Sequence, residues 1–351
     1  MTKTKKARTR ALMLLSGGLD SILAVKILQE QDIEVTGLTF VSYFFNFELA
    51  KKAAQQLKIK LKIIDFSDEH LTMVKNPCYG YGKAVNPCID CHVLMLRKAR
   101  EISGLGQALS ANAKIPREYF RSCELLAPRL RQDHARSQFD VAEITCPNPK
   151  LRRFDFVATG EVIGERPMSQ NKQALELIEK QSGLQGYLLR PLSAKLLEPT
   201  IVEEKGLINR DKLLDISGRS RKRQIALAKK WKIKEYPTPA GGCLLTDLQF
   251  AQRLKELFAK WPDCHGNDVF LLKLGRHFWV DGNKIIVGRN EEENKRIKKL
   301  AQKGDLVIEP KDFPGPTILI RDKVKLLKES LVEAKKLMIK YSPKLKKKLK
   351  P

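Results

Sequence analysis

The sequence has no run approaching the ~18 uncharged apolar residues that cross a bilayer. No apolar signal-peptide core follows its basic start, MTKTKKARTR, because the next apolar run is broken by SGG and Asp20. The expectation is a cytoplasmic protein with no membrane partner. Acidic residues are short: 40 Asp plus Glu face 66 Lys plus Arg, a net charge of +26. A Lys-rich solvated surface explains many Lys beside many Glu, but not the imbalance. So large an excess attracts polyanions, nucleic acid first among them. Cysteines are few and odd in number, seven. In a reducing compartment this points to metal-binding or catalytic thiols rather than a disulfide framework. Between residues 104 and 153 lysine itself is scarce, with only Lys114 and Lys150. That stretch has no clear periodicity, and it reads as an atypical insertion without assignable chemistry.

What is present begins with an α/β pattern. Ala11 to Leu15 reads as a buried strand, Ile22 to Gln31 as a helix (Ile22, Val25, Ile27, Leu28), and Ile33 to Phe40 as a strand. Glu48 to Leu57 reads as a helix and Leu61 to Phe66 as a third strand. Alternation of this kind implies a Rossmann-like parallel sheet. DFVATGEV, Asp155 to Val162, reads as a later strand of that sheet, and Phe250 to Phe258 as a helix. From about Val269 the pattern changes to strands around a DG turn, with GPTILIRD as a further strand: a small α+β domain. The expected division is 8–183 for a nucleotide domain carrying the 104–153 insertion, and 184–262 for a linking segment with Cys243. A C-terminal domain at 263–325 and a basic tail at 326–351 complete it.

The strand at Ala11 runs into SGGLDS, then a helix. In such a turn unpaired backbone N–H groups point outward, Gly lets a ligand approach closely, and the helix N-terminus favours an anion. Ser16 and Ser21 add hydroxyls. Asp20 is a carboxylate where phosphate is expected, so it holds Mg²⁺ or caps the turn. SGG-x-DS after an apolar strand resembles the pyrophosphate loop of the ATP pyrophosphatases (PP-loop, adenine nucleotide alpha hydrolase type). These cleave ATP to AMP and pyrophosphate while activating a carbonyl oxygen. DFVATGEV resembles the segment whose Gly, here Gly160, lies near the nucleotide. MSQ, Met168 to Gln170, resembles the loop closing over ATP. RPLSAK and PAGGC follow in the order seen in tRNA 2-thiouridylases. The resemblance covers about residues 8 to 258 without the insertion. It implies ATP and Mg²⁺ held by Ser16, Gly17, Gly18, Asp20, Ser21, Gly160 and Gln170, with Asp20 also counted among the catalytic groups.

NPCIDCH places Cys88 and Cys91 at a spacing that lets two thiolates reach one ion or cluster. Cys243, in PAGGC, has Gly on one side and an accessible sulfur; Cys78 is a further candidate. Position by position, Cys91 and Cys243 resemble the thiouridylase pair, in which one cysteine carries a persulfide and the other resolves it. Cys88 departs from that pattern. Three cysteines, Cys88, Cys91 and Cys243, resemble instead the thiolation enzymes that hold a [4Fe–4S] cluster. A structural zinc site and a purely persulfide mechanism stay open beside it.

GRHFWVDGNKIIVGRNEEEN and GPTILI resemble the NFACT RNA-binding domain. Arg276, His277, Phe278, Trp279, Lys284, Arg289 and Asn290 offer basic and aromatic groups suited to RNA, unless Phe278 and Trp279 are core. Arg219, Arg221, Lys222 and Arg223 form a second basic cluster, read as facing tRNA. The implied function is ATP-dependent thiolation of a tRNA uridine, with tRNA and a sulfur donor (sulfide or a persulfide carrier) as partners. Two rivals stand against it: an RNA-binding or ribosome-associated factor with a vestigial nucleotide site, and a PP-loop amidotransferase-like ligase.

Overall fold

The computed structural model describes residues 8–105, 154–238, 243–311, 313–322 and 328–342. Almost all of the 104–153 insertion lies outside the described residues. So does part of the last segment, including most of SPKLKKKLKP. Contacts divide the chain into two units. The first comprises 1–82 and 87–241, and the second 83–86 and 242–351. A separate linking segment at 184–262 does not emerge. Its first part belongs to the first unit and its last part, from 242, to the second.

The first unit is built on five parallel strands: β1 Arg10–Leu14, β2 Glu34–Val41, β3 Lys60–Asp65, β4 Phe156–Ala158 and β5 Leu188–Leu189. Their order is β3-β2-β1-β4-β5, so the winding reverses between β1 and β4. Helices α1 Leu19–Gln29, α2 Glu48–Leu57, α3 Ser67–Lys75 and α4 Cys88–Ser103 accompany them. Later in the chain come α5 Lys172–Ser182, α6 Ile201–Glu204 and α7 Lys222–Lys230. Covered on both faces, β1 and β2 are almost continuously buried rather than alternating, as central parallel strands are. Leu12, Met13, Leu38, Phe156 and Val157 form the centre of this core. In open sheets of this winding, ligands bind beyond the carboxyl ends of the strands, at the reversal point. The loops leaving β1 and β4 there are Ser16–Gly18 and Thr159–Gly160.

The second unit carries helices α8 Leu248–Lys260 and α9 Gly266–Leu272. Its four-stranded antiparallel sheet is made of β6 Arg276–Val280, β7 Asn283–Val287, β8 Leu306–Ile308 and β9 Ile318–Arg321, ordered β6-β7-β9-β8. Asp247 caps α8 by accepting the Phe250 N–H, and Asn290 caps α10 Glu291–Leu300 by accepting the Glu293 N–H, each worth about 1 kcal/mol. Within the stretch read as a basic tail, Lys328–Tyr341 forms α11. Its Ala334, Leu337 and Met338 pack on Ile285, Val287, Ile318 and Ile320. The tail is therefore in large part core-forming helix. The spacing 330, 334, 337, 338 carries an apolar stripe beneath its lysines.

Candidate functional site

The turn after β1 has two glycines with different reasons to be glycine. Gly17 has φ +80°, and a Cβ there would lie 2.3 Å from the Leu49 carbonyl carbon. Fold geometry alone demands it. Gly18 has φ −72°, and a Cβ would meet only Ser16 Oγ at 3.4 Å. Neither strain nor packing explains Gly18, which leaves open space over the N-terminus of α1. The Gly18 N–H points to Ser16 Oγ (3.3 Å), and the Ser21 hydroxyl donates to Gly18 O (2.8 Å). From β4, Gly160 presses on the same turn: a Cβ would lie 2.5 Å from Ser21 N and 2.7 Å from Asp20 C.

Several buried polar atoms around this turn have no hydrogen-bond partner among the described residues. They are Asp20 Oδ1, Ser169 Oγ, Gln170 Oε1, Arg221 Nε and the side-chain amide of Gln224. Burial raises the Asp20 carboxyl pKa, while Arg221 and Arg166 pull it down. Glu165 is raised too, by burial and then by Asp20. Loop 163–170 is tied to the segment preceding α7, since the Gly218 N–H donates to Ile163 O (2.8 Å). Native interiors rarely leave such groups unpaired, so orphaned groups of both charge signs mark a place built for a polar ligand. A polyphosphate with a divalent cation fits: N–H groups and Gly18 receive anionic oxygen, and Asp20 Oδ1 offers a cation ligand. Arg221 and Gln224 join Ser16, Asp20, Gly160 and Gln170 here, which the sequence reading missed. Charge clustering alone had placed Arg221 on an RNA-facing surface. Its neighbour Arg223 instead pairs with Asp215.

Gly160 leads to Glu161, which is fully buried and saturated. Its Oε2 accepts from the Arg190 Nε–H (3.0 Å) and the Thr159 hydroxyl (2.9 Å), and its Oε1 lies 2.7 Å from His92 Nδ1. These partners outweigh burial and hold its pKa at about 2. Arg190 also pairs with Glu179 and donates to Leu175 O. His92 sits on α4 beside Cys91, whose sulfur lies 3.4 Å from His70 Nε2. His70 Nδ1 is 2.6 Å from the hydroxyl of Ser42, the residue after β2. The turn after β1, Gly160, Glu161, His92, Cys91 and His70 therefore form one line of contacts at the carboxyl ends of the strands.

Cys88 and Cys91 lie one turn apart at the N-terminus of α4, both half-buried. Asp90, between them, is buried and accepts the N–H groups of Cys78 and Tyr79 (2.9 and 3.1 Å). Cys78 itself is exposed. In the second unit Cys243 is half-buried and opens a short 3₁₀ turn whose Thr246 N–H returns to Cys243 O (2.8 Å). Two residues on, Leu245 O accepts the N–H of Val85, in the strand of chain that precedes Cys88. Among the described residues, no three His, Cys, Asp or Glu side chains converge as metal ligands.

Not all of the groups expected to meet RNA are exposed in the second unit. Strand register sets Trp279 opposite Lys284, and Lys284 is only 2% exposed, its ammonium 4.1 Å above the Trp279 ring. Trp279 packs edge-on against Trp261 at 5.0 Å. Phe278 lies against the core and Tyr341, Arg289 pairs with Glu293, and Asn290 is a helix cap. Phe278, Trp279 and Lys284 thus pack within the second unit, while Arg289 and Asn290 lie at its surface, outside the strands. No helix among the described residues is long and apolar enough to cross a membrane.

Residues 9–100 match the family model of the tRNA methyl transferase HUP domain, and residues 275–350 that of the NFACT protein RNA binding domain. The tRNA-specific 2-thiouridylase MnmA of Geobacter metallireducens is 29% identical over 203 residues, covering 50% of this chain and 54% of that protein. MnmA of Syntrophomonas wolfei is 36% identical over 87 residues, 24% and 26% of the two chains. The matches thus span about half or less of the curated relatives' length. Among solved structures, a predicted subunit of tRNA methyltransferase from Methanocaldococcus jannaschii aligns over 63% of this chain and 76% of its own, at 13% identity and a TM-score of 0.34. Residues 9–100 are thus similar to the tRNA methyl transferase HUP domain and to part of the tRNA 2-thiouridylases, and residues 275–350 are similar to the NFACT RNA-binding domain.

Proposed function

We propose that this protein is an ATP-dependent tRNA uridine thiolase. The observation that carries the reading is the unbroken line of contacts from the Asp20 turn, through Gly160, Glu161 and His92, to Cys91. It sets an anion-receptive, orphaned polar pocket and a reactive-type thiol on one edge of one sheet. Ser16, Gly17, Gly18, Asp20, Ser21, Gly160 and Gln170, with Arg221 and Gln224, receive ATP; Asp20 is the Mg²⁺ ligand. Bound Mg²⁺ supplies charge neutralisation on the phosphates. A uracil carbonyl oxygen attacks the α-phosphorus and pyrophosphate leaves. The outer sulfur of a persulfide on one member of the pair Cys91 and Cys243 then attacks the ring carbon, and AMP departs with the oxygen. The other cysteine attacks the inner sulfur, releasing thiouridine and leaving a disulfide for an external thiol to reduce. Cys88 adds a third thiolate beside Cys91, the set that a [4Fe–4S] cluster would require. The second unit supplies RNA affinity, and the cytoplasm is the compartment in which tRNA and reduced thiols coexist.

The test is nucleoside mass spectrometry of unmodified tRNA after anaerobic incubation with the protein, ATP, Mg²⁺ and sulfide or a persulfide donor. Iron and acid-labile sulfide are assayed in the same sample. An oxygen-to-sulfur mass gain in uridine, matched by AMP and lost in Cys91→Ala and Cys243→Ala, is the expected outcome. Iron and sulfide in the protein with activity dependent on Cys88 would replace the persulfide step by the cluster. ATP binding without any gain would return the protein to the RNA-binding factor. AMP formation retained in Cys243→Ala with an amidated product would make it a ligase.

A further inference from the structure

Phe278, Trp279 and Lys284 pack inside the second unit, so an aromatic group able to meet RNA has to be sought elsewhere on it. Among the described residues of this unit, Phe270 on α9 is the aromatic side chain left exposed, at 40%. A lone exposed apolar side chain is ordinary. Phe270 is not alone. The Lys273 ammonium stands 4.8 Å from its ring centroid, just past the end of α9. Lys273 is half-buried, and burial first, then the Arg296 charge, lower its pKa. No carboxylate figures among the charges acting on it, and Arg296 has only Glu292, 3.8 Å away with both side chains more than half exposed. Leu271 and Leu274 join Ile297 and Leu300 in one apolar cluster, which fixes the end of α9 against α10. Phe270 and Lys273 precede the first pair by one position, Arg296 and Lys299 the second. Arg296 and the exposed Lys299 are neighbours on α10, three residues apart. Core packing, and not mutual attraction, thus gathers like charges beside an exposed ring.

We propose that this α9/α10 edge is the docking surface for an unpaired stretch of RNA, with a base stacked on Phe270 and phosphates held by Lys273 and Arg296. Each half of the pattern narrows the partner. Cations that repel one another are relieved by a polyanion. An exposed ring adds stacking, which every base offers through its flat face, and only an unpaired base has that face free. A duplex would satisfy the cations and leave the ring idle, and so would an acidic peptide. Because Lys273 touches the ring, the phosphate it holds belongs to the nucleotide that stacks or to the next one along. Lys299 extends the cationic track along α10 for a further phosphate. The assignment rests on the reading that the second unit supplies RNA affinity. It adds the place on that unit and the part of the RNA that fits there.

The test titrates the full chain, without ATP, into two fluorescein-labelled RNAs: a single-stranded uridine oligomer of about ten nucleotides and a blunt duplex. Fluorescence anisotropy is read at several salt concentrations. Phe270→Leu keeps an apolar side chain without a ring, and Phe270→Tyr keeps the ring. Both changes fall at an exposed position, and far-UV circular dichroism checks that the variants fold. Phe270→Leu should weaken the single strand about tenfold and leave the duplex within about twofold, while Phe270→Tyr stays within about twofold on both. Lys273→Gln and Arg296→Gln should each lower the slope of log affinity against log salt by about 0.7 on the single strand. Lys336→Gln, an exposed cation on α11, is the charge control and should leave that slope as it is. Single-strand binding by Phe270→Leu equal to the parent's, a loss shared equally by the duplex or by Phe270→Tyr, or slopes unmoved by Lys273→Gln and Arg296→Gln would each overturn the proposal. So would self-association that depends on Phe270 with RNA binding unchanged, which would make this edge a contact between protein chains. A parent that binds neither RNA would remove the RNA reading of the second unit together with this surface. Failure of thiolation with the anisotropy results as expected would discard only the thiolase.

Discussion

Two buried polar regions meet at Gly160, and they are finished to different degrees. On one side Glu161, Arg190, Thr159, His92 and Glu179 satisfy one another. On the other, Asp20, Ser169, Gln170, Arg221 and Gln224 leave atoms unpaired. Both are expensive to bury. The saturated region recovers that cost in the folded chain itself and acts as scaffold. The unsaturated one recovers it only when something polar arrives, so its incompleteness points to a ligand. The difference also explains the opposite directions of two carboxylates that both lose solvent: Glu161 is pulled far down and Asp20 is left raised.

The contrast breaks most visibly by removing one arginine from each side. Arg190→Met strands the buried Glu161 and should cost about 3–5 kcal/mol in a urea titration. Arg221→Met should change stability by less than about 1 kcal/mol while weakening ATP binding, measured by calorimetry. A similar loss of stability in both would erase the distinction. Next in size is acid. His70 is held neutral with a pKa of about 4 against its ordinary 6.5, so the unfolded chain binds the extra proton between those values. Stability contributed by the neutral ring is complete above about pH 6.5 and falls toward pH 4, by up to about 3 kcal/mol. His70→Gln should flatten that slope in urea midpoints taken across the window. Glu161 adds little above about pH 5; with its pKa lowered from 4.5 to about 2, its share is lost as pH falls through that range, and the two slopes overlap near pH 4. The smallest effect separates the two glycines. Gly17→Ala forces a positive φ and a backbone clash and should destabilise by at least about 1–3 kcal/mol. Gly18→Ala should fold normally and weaken ATP about tenfold by filling the cradle.

Much of the first sheet could be read from residues alone. β1, β2, β3 and the helix Glu48–Leu57 fall within a residue or so of their expected places, because short β-branched and apolar runs alternate there with a helical pattern. The helix carrying Cys88 and Cys91 was harder to see. Its opening NPCIDCH is polar and proline-led, and the apolar spacing starts only at Val93. His70 left no signal, since a single histidine in FSDEHLTMV looks like any other helical position until Cys91 arrives from α4. Arg221 was visible as charge but not as a partner of Asp20, some two hundred positions earlier in the chain. The inward Trp279 and Lys284 were legible in principle. A two-residue DG turn pairs 279 with 284, so the strand alternation that defined the hairpin also put both side chains on one face.

Gly160 touches the first turn of α1 with less than a methyl group to spare, and the next residue anchors His92. The loop therefore works as a gauge block, a spacer of fixed thickness between the glycine turn after β1 and the cysteine-bearing helix α4. Neither side can drift without moving the other. A side chain at that position would be felt at both ends at once, as a misfit of distance rather than the loss of any single contact.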